Sequence, residues 1–378
     1  MSAFRLPLRP FRLERFCAEH EFKVRHVLSA SDPESLALGE LLALADEEAR
    51  ALWDGLRLGY TESPGHPLLR REIAGSYERI GPDEVLVAAP EEAILIAMQA
   101  LLRPGDHAIV LCPAYQSLYE VAAGAGCEVT RWRLERGGSA WRLDLDALAA
   151  AITRRTRLLV VNFPHNPTGF LASAAEQATV VALAREHGLY LFSDEMYRGL
   201  EGPGAPQLPA ACDLYERAVS LAGLSKSFGL PGLRIGWLAT RDREALAACA
   251  GLKDYTTICA SAPSEVLALI ALRARERILA RVLAIIGRNL AIADGFFAAH
   301  ATLFRWLRPS AGTVAFPELL EGRVDDFCAR LLAEQSVLLV PAGVFEYGGN
   351  HFRLGLGRAD FAGGIERLDA FLREAPRG

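Results

Sequence analysis

The stretch LLVVNFPHNPTGFLASAAEQATVVALAREHGLYLFSDEMYRG, residues 158–199, decides the fold. It opens on a continuous apolar run, LLVVNF, and closes on a second, LYLFSDE. Neither run alternates apolar with polar residues, as a strand with one wet face would. Near-continuous runs suit strands covered on both faces in a mostly parallel sheet. Between them, residues 173–187 have helical spacing, and Ser173 with Glu176 forms a capping-box signature at its start. Strand, helix, strand is the unit of a doubly wound α/β domain.

The same alternation extends in both directions. EVLVAA (84–89), HAIVLC (107–112), AVSLAGL (218–224) and RIGWLAT (234–240) read as further strands. Residues 91–102, 116–126 and 144–152 read as helices between them. After Pro263 the pattern changes. Residues 264–300 predict long helices rich in Ala, Leu and Ile. Short strands follow (VAFPEL, VLLVPA, HFRLGLG), then a closing helix over 361–373. This divides the chain into a large α/β domain over 46–274 and a smaller α+β domain formed by 1–45 with 275–378.

Bulk properties narrow the function. The 378 residues are 51% hydrophobic and 23% charged, the balance of an enzyme-sized globular protein. A net charge of −5, with arginines scattered rather than in runs, argues against nucleic acid or an acidic membrane as partner. No two of the seven cysteines lie within four residues, so no CxxC-type metal or redox motif exists. The odd, dispersed set fits reduced thiols in a cytoplasm. The opening MSAFRLPLRPFRLERF lacks a signal peptide's apolar core, and the longest apolar run, 93–102, is too short to span a bilayer. No GxGxxG follows the first strand, which disfavours a nicotinamide dehydrogenase. A DNA-binding regulator is disfavoured because the first 45 residues hold no helix-turn-helix pattern.

In an open α/β sheet, ligands bind outside the carboxyl ends of the strands. Polar groups follow those ends here: Asn166 in PHNPTG, Asp194 and Tyr197 in SDEMYRG, and Lys226 and Arg234 in GLSKSFGLPGLRIGW (223–237). A lysine among Leu224, Phe228 and Leu230 either snorkels to solvent or is held inside for chemistry. Held at low dielectric, its amine has a lowered pKa and can bond an aldehyde. A buried aspartate needs a positive partner, which a protonated pyridine nitrogen supplies. Tyrosine and asparagine can donate to a phenolate oxygen, and arginine with backbone N–H groups can hold a phosphate. Together these groups describe a site for pyridoxal 5′-phosphate (PLP).

NPTG, SDEMY and SKSFGLPGLRIGW, in this order, resemble the class I/II aminotransferases of PLP fold type I, over roughly residues 50–370. The resemblance implies a seven-stranded, mostly parallel sheet sandwiched by helices. It implies that Lys226 is the lysine that bonds the cofactor and shuttles the proton. It pairs Asp194 with the pyridine nitrogen, sets Tyr197 and Asn166 on the ring hydroxyl, stacks Tyr115 on the ring, and gives Arg234 to the phosphate. Arg353, in NHFRLGLGR, matches the arginine that grips the substrate carboxylate, with Asn166 beside it. Tyr60 matches a tyrosine that reaches the phosphate in the neighbouring subunit, which implies a homodimer.

Two departures concern the phosphate. The loop AAPEEA (88–93) replaces a glycine-rich cradle, leaving Ala89 and Glu91 as its cofactor-binding positions and Pro90 without an N–H. Gly223 stands where the family often has a serine, for which Ser225 is the substitute. The reaction implied is amino transfer between an L-amino acid and a 2-oxo acid. The alternative is lyase or cyclase chemistry, C–S lyase-like or capreomycidine synthase-like. SASDPESLALGELLALAD (29–46) resembles the N-terminal region of capreomycidine synthase-like enzymes, which cyclise an arginine derivative. Asp32 or Glu34 would then meet a basic side chain. His165 is expected to be structural. Tyr255, Thr256 and Thr257 read equally as site lining or loop surface.

Overall fold

A computed structural model describes residues 7–138, 140–202 and 204–374. The first six residues and the last four, which close the expected small domain at both ends, lie outside the described residues. The centre is a seven-stranded sheet: β1 (Val85–Ala88), β2 (His107–Cys112), β3 (Glu128–Arg133), β4 (Thr156–Asn162), β5 (Tyr190–Asp194), β6 (Ala218–Gly223) and β7 (Gly236–Ala239). Their spatial order is β1-β7-β6-β5-β4-β2-β3. Only β7 runs against its neighbours, antiparallel to both β1 and β6.

Both faces are covered, which explains the unbroken apolar runs. Val110, Val160 and Phe192 point into one core, shared with α2 (Pro90–Leu101) and α3 (Ser117–Gly124). Ile109, Leu159 and Leu191 point into another, packed on α4 (Ala174–Glu186). The α4 cap forms as expected: Ser173 Oγ accepts from the Glu176 N–H, and the Glu176 carboxylate accepts from the Ser173 N–H. The exception is β3. Its sequence, EVTRWR, is charged and half-exposed, the character of an edge strand, and its reading as a strand depends on β2 beside it.

A second, three-stranded sheet holds β8 (Val314–Ala315), β9 (Val340–Pro341) and β10 (Phe352–Gly355), with β10 in the middle. The N-terminal segment is tied to it. Gly355 N donates to Leu28 O, and Leu338 N donates to His26 O. Helix α1 (Arg12–His20) precedes that segment. The helix Arg275–Ala299 is long and apolar enough to cross a membrane, unlike the shorter apolar run at 93–102. Here Val282, Ile286, Leu290 and Phe297 on it pack into the core shared with β4 and β5.

The chain passes outward from β2 to β3, then returns to β4 and steps the other way through β5, β6 and β7. That reversal, between β2 and β4, is the topological switch point, and a crevice forms outside the strand ends there.

Candidate active site

A cavity of about 560 Å³ lies at this switch point. It is lined by Glu91, Tyr115, Asn166, Asp194, Tyr197, Ser225, Lys226, Arg234 and Arg353, all expected from the sequence. Tyr60 and Ala89 do not line it. The Tyr60 side chain is 89% exposed. The Ala89 N–H donates to Glu92 Oε2 at 3.3 Å, so the loop already uses that donor.

The strand ends fix the floor. Asn162 and Asp194 are register partners on β4 and β5. The Asn162 amide donates to Asp194 O (2.8 Å), and Asn162 Oδ1 accepts from the Asn166 N–H (2.7 Å). One side chain thus clamps both functional loops, a role that no sequence pattern signals. The Asp194 carboxylate accepts from Met196 N at 3.1 Å and has no cation at ion-pair distance among the described residues. Burial pushes its carboxyl up to about 7. A buried carboxylate of this kind is built to meet a positive group.

Lys226 Nζ donates to Ser31 Oγ at 2.7 Å. Burial pulls its ammonium pKa down, with Asp32 opposing. Its amine therefore turns into the cavity rather than snorkelling to solvent. Ser31 carries no signature in the sequence. It reaches Lys226 because Thr313 Oγ1 donates to its carbonyl at 2.6 Å.

Several polar atoms are buried without a hydrogen-bond partner: Asn166 Oδ1, Tyr197 Oη, Ser225 Oγ and Arg353 Nη1. Buried polar atoms are nearly always paired, so four in one cavity mark a ligand's contacts. Arg353, on the central strand β10, is only 3% exposed. Its Nε donates to Ser29 O at 3.0 Å, leaving the far edge of the fork free. These groups fit PLP: a carboxylate for the pyridine N–H, hydroxyl and amide for the ring oxygen, and a lysine beside them.

The groups expected to take a phosphate depart from the sequence reading. Arg234 stands not on a strand, as its place in RIGWLAT suggests, but in a turn after Pro231–Leu233, at φ 54°. It lines the cavity and donates to Pro231 O at 2.9 Å. Tyr115 donates to Glu14 Oε1 at 2.7 Å, and its ring tilts against Phe11, with centroids 4.9 Å apart.

Residues of α1 and its end escape a reading from sequence, because an amphipathic helix with acidic residues reads as solvated surface. Glu14, Cys17, Glu21 and Phe22 all line the cavity. Asp32 lines it too, but is paired with Arg358 at 2.8 Å. Glu34 accepts from Ala359 N at 3.0 Å and does not line the cavity. Of the two acids expected near a basic side chain, Asp32 therefore reaches the cavity and Glu34 does not, while Glu14 and Glu21 join it from α1 and its end. His165 is buried beside Thr168 and lies outside the cavity, its pKa lowered by burial to about 3. Thr256 and Thr257 donate to Glu92, and neither lines the cavity.

Comparison with known proteins agrees with this fold. The family described as aminotransferase class I and II matches residues 27–364. Capreomycidine synthase of Streptomyces vinaceus is 32% identical over 345 residues, which is 90% of this chain and 87% of that one. The crystal structure of a PLP-dependent aminotransferase from Streptococcus suis superposes with a TM-score of 0.91 at 31% identity, covering 98% of this chain and 100% of that one. The PLP-dependent cyclase OrfR superposes with a TM-score of 0.88 at 32% identity, covering 99% of this chain and 100% of that one.

Proposed function

The chain belongs to the aminotransferase class I and II family, a PLP-dependent enzyme family, and we propose that it transfers the amino group of an L-amino acid with a cationic side chain to a 2-oxo acid. The observation that carries this reading is that Lys226, Asp194 and Arg353, whose Nη1 is unpaired among the described residues, line one cavity.

When bound, PLP supplies the sink for the electron pair released at the substrate Cα. Asp194 would hold the pyridine N–H, and Tyr197 and Asn166 the ring hydroxyl. Tyr115 would stack on the ring. Ser225, Arg234 and the N-terminus of α2 would hold the phosphate. Arg353 takes the substrate α-carboxylate through two parallel N–H donors. Ser31 orients the Lys226 amine. With its pKa lowered, that amine takes the proton from the substrate Cα and returns it at the neighbouring carbon.

Side-chain preference follows from what is left over. Asp194 is committed to the cofactor and Asp32 to Arg358. Glu14 and Glu21 line the same cavity, and neither has a cation at ion-pair distance among the described residues. A basic group reaching from Cα past Arg353 neutralises them. A second reading, cyclisation after loss of a substrate group beyond Cα, is favoured by the likeness to capreomycidine synthase and to the OrfR cyclase. It uses the same residues up to removal of the Cα proton.

The test is a donor panel of arginine, ornithine, lysine, glutamate and phenylalanine, with and without a 2-oxo acid. Basic donors should be consumed, and only when the acceptor is present. Acceptor-independent ammonia or a cyclic product supports the second reading, and preference for glutamate removes the side-chain assignment. Lys226→Ala should lose nearly all turnover; full activity in that variant ends the proposal. We also place the chain as a homodimer in the cytoplasm, a reading supported by the exposed Leu58 and Tyr60 and by seven unpaired cysteines.

A further inference from the structure

The end of the cavity that receives the cofactor phosphate, on the reading above, is short of donors and holds an acid. Pro90 is the first residue of α2 and has no N–H. The Ala89 N–H is taken by Glu92. Only the Glu91 and Glu92 N–H groups remain as first-turn donors. The backbone also forbids the usual remedy at Gly223. A Cβ there would lie 2.9 Å from Gly236 Cα and 3.0 Å from Ile235 O, so a side chain carrying a hydroxyl from that position must push the two strands apart. Pro90 itself packs on Gly236, where an added Cβ would meet its ring at 2.9 Å. Ser225 Oγ lines the same cavity, buried and without a partner among the described residues, and so is free to meet a ligand there.

Glu91 lines the cavity at the second position of the twelve-residue α2. Ser117 Oγ on α3 donates to its Oε2 at 3.3 Å, a long bond that leaves Oε1 unused. Of the charged residues lining the cavity with it, Glu14 on α1, Asp194 at the end of β5 and Arg234 in its turn act on it most strongly. Two of those three are acids, so the region disfavours another full negative charge. A phosphate dianion beside an ionised Glu91 would be repelled. A carboxylic acid there donates a short O–H···O⁻ bond instead.

We propose that Glu91 and the cofactor phosphate share one proton, so that the Glu91 side chain replaces the donors that Pro90 and Gly223 cannot provide. Cofactor docking then takes up a proton, and affinity falls as pH rises. Burial supports this by holding the Glu91 carboxyl at about 7, against the Ser117 hydroxyl, which lowers it.

The experiment titrates PLP, and separately pyridoxal without phosphate, into the apo chain between pH 6 and 9. Wild type is compared with Glu91→Gln and Glu91→Thr. Calorimetry in two buffers of different ionisation enthalpy counts protons taken up. Uptake of one proton predicts that wild type loses about tenfold in PLP affinity per pH unit above 7 relative to either variant, reaching about 100-fold at pH 9. Pyridoxal should show no such difference. Parallel pH profiles for wild type and both variants, or equal proton uptake, overturn the proposal while leaving the cofactor assignment intact. Absence of PLP binding by all three chains at every pH overturns the cofactor assignment as well.

Discussion

Asp194 shows how one residue trades stability for function. Its carboxyl is raised from 3.8 to about 7 by burial. Between about pH 4 and 7 the folded apo chain therefore keeps a proton that the unfolded chain releases. Stability falls as pH rises through that window, and the loss is complete above it. Asp194→Asn removes the penalty. The apo variant should melt higher than wild type at pH 8 by an amount worth a few kcal/mol, since a tenfold change in proton affinity on folding is worth about 1.4 kcal/mol. At pH 4 it should gain almost nothing. Equal gains at both pH values, measured by thermal melts, would remove burial as the cause. The same variant should bind PLP at least tenfold more weakly, because an amide does not carry the charge that a pyridinium N–H needs. Asp194 is legible in SDEMY because it ends an apolar strand, whereas Glu14, Glu21 and Ser31 are not. Their role is set by what α1 and the following segment are folded against, and nothing adjacent to them in the chain records it.

At the scale of elements, the antiparallel pair β6–β7 shapes the end of the cavity proposed to take the phosphate. Gly223 and Gly236 are register partners, and neither has room for a Cβ, so the strands approach closely with Pro90 packed across them. Gly223→Ser, which restores the residue common in related enzymes, should destabilise the chain by about 1–3 kcal/mol through overpacking. It should not tighten PLP. Tighter binding with unchanged melting temperature would show that the strands can part to admit the hydroxyl. The strands buried on both faces are legible because their apolar runs are continuous. Strand β3 escapes the same reading because an edge strand tolerates charge, and Arg234 reads as part of a strand because its turn interrupts no apolar pattern.

For the whole molecule, the proposed dimer gathers the surface features that the single chain leaves unexplained. Leu58, Tyr60 and Tyr255 are 86%, 89% and 90% exposed. Their segments are held together by Lys253 Nζ, which donates to Ser63 O at 2.7 Å, and by Ser63 Oγ, which donates to Asp254. Exposed apolar residues linked in this way suit the proposed interface. Sedimentation should give twice the chain mass. Tyr60→Phe should weaken PLP binding about tenfold, the worth of one hydrogen bond to a charged group. A monomer with unaltered cofactor affinity in that variant would exclude a shared site. By itself the sequence determined six of the seven strands, the helices between them and the lysine, aspartate and tyrosine at the strand ends, because each is written in a local pattern: an apolar run, a cap, a polar group where a run stops. Tertiary structure decided which carboxylates face the cavity and which are spent on Arg358 or on a backbone N–H. It also decided that a Cβ at Gly223 would crowd Gly236 and Ile235. Those outcomes depend on distances between segments remote in the chain, and burial and pairing, which set the charge of each group, exist only once those segments meet.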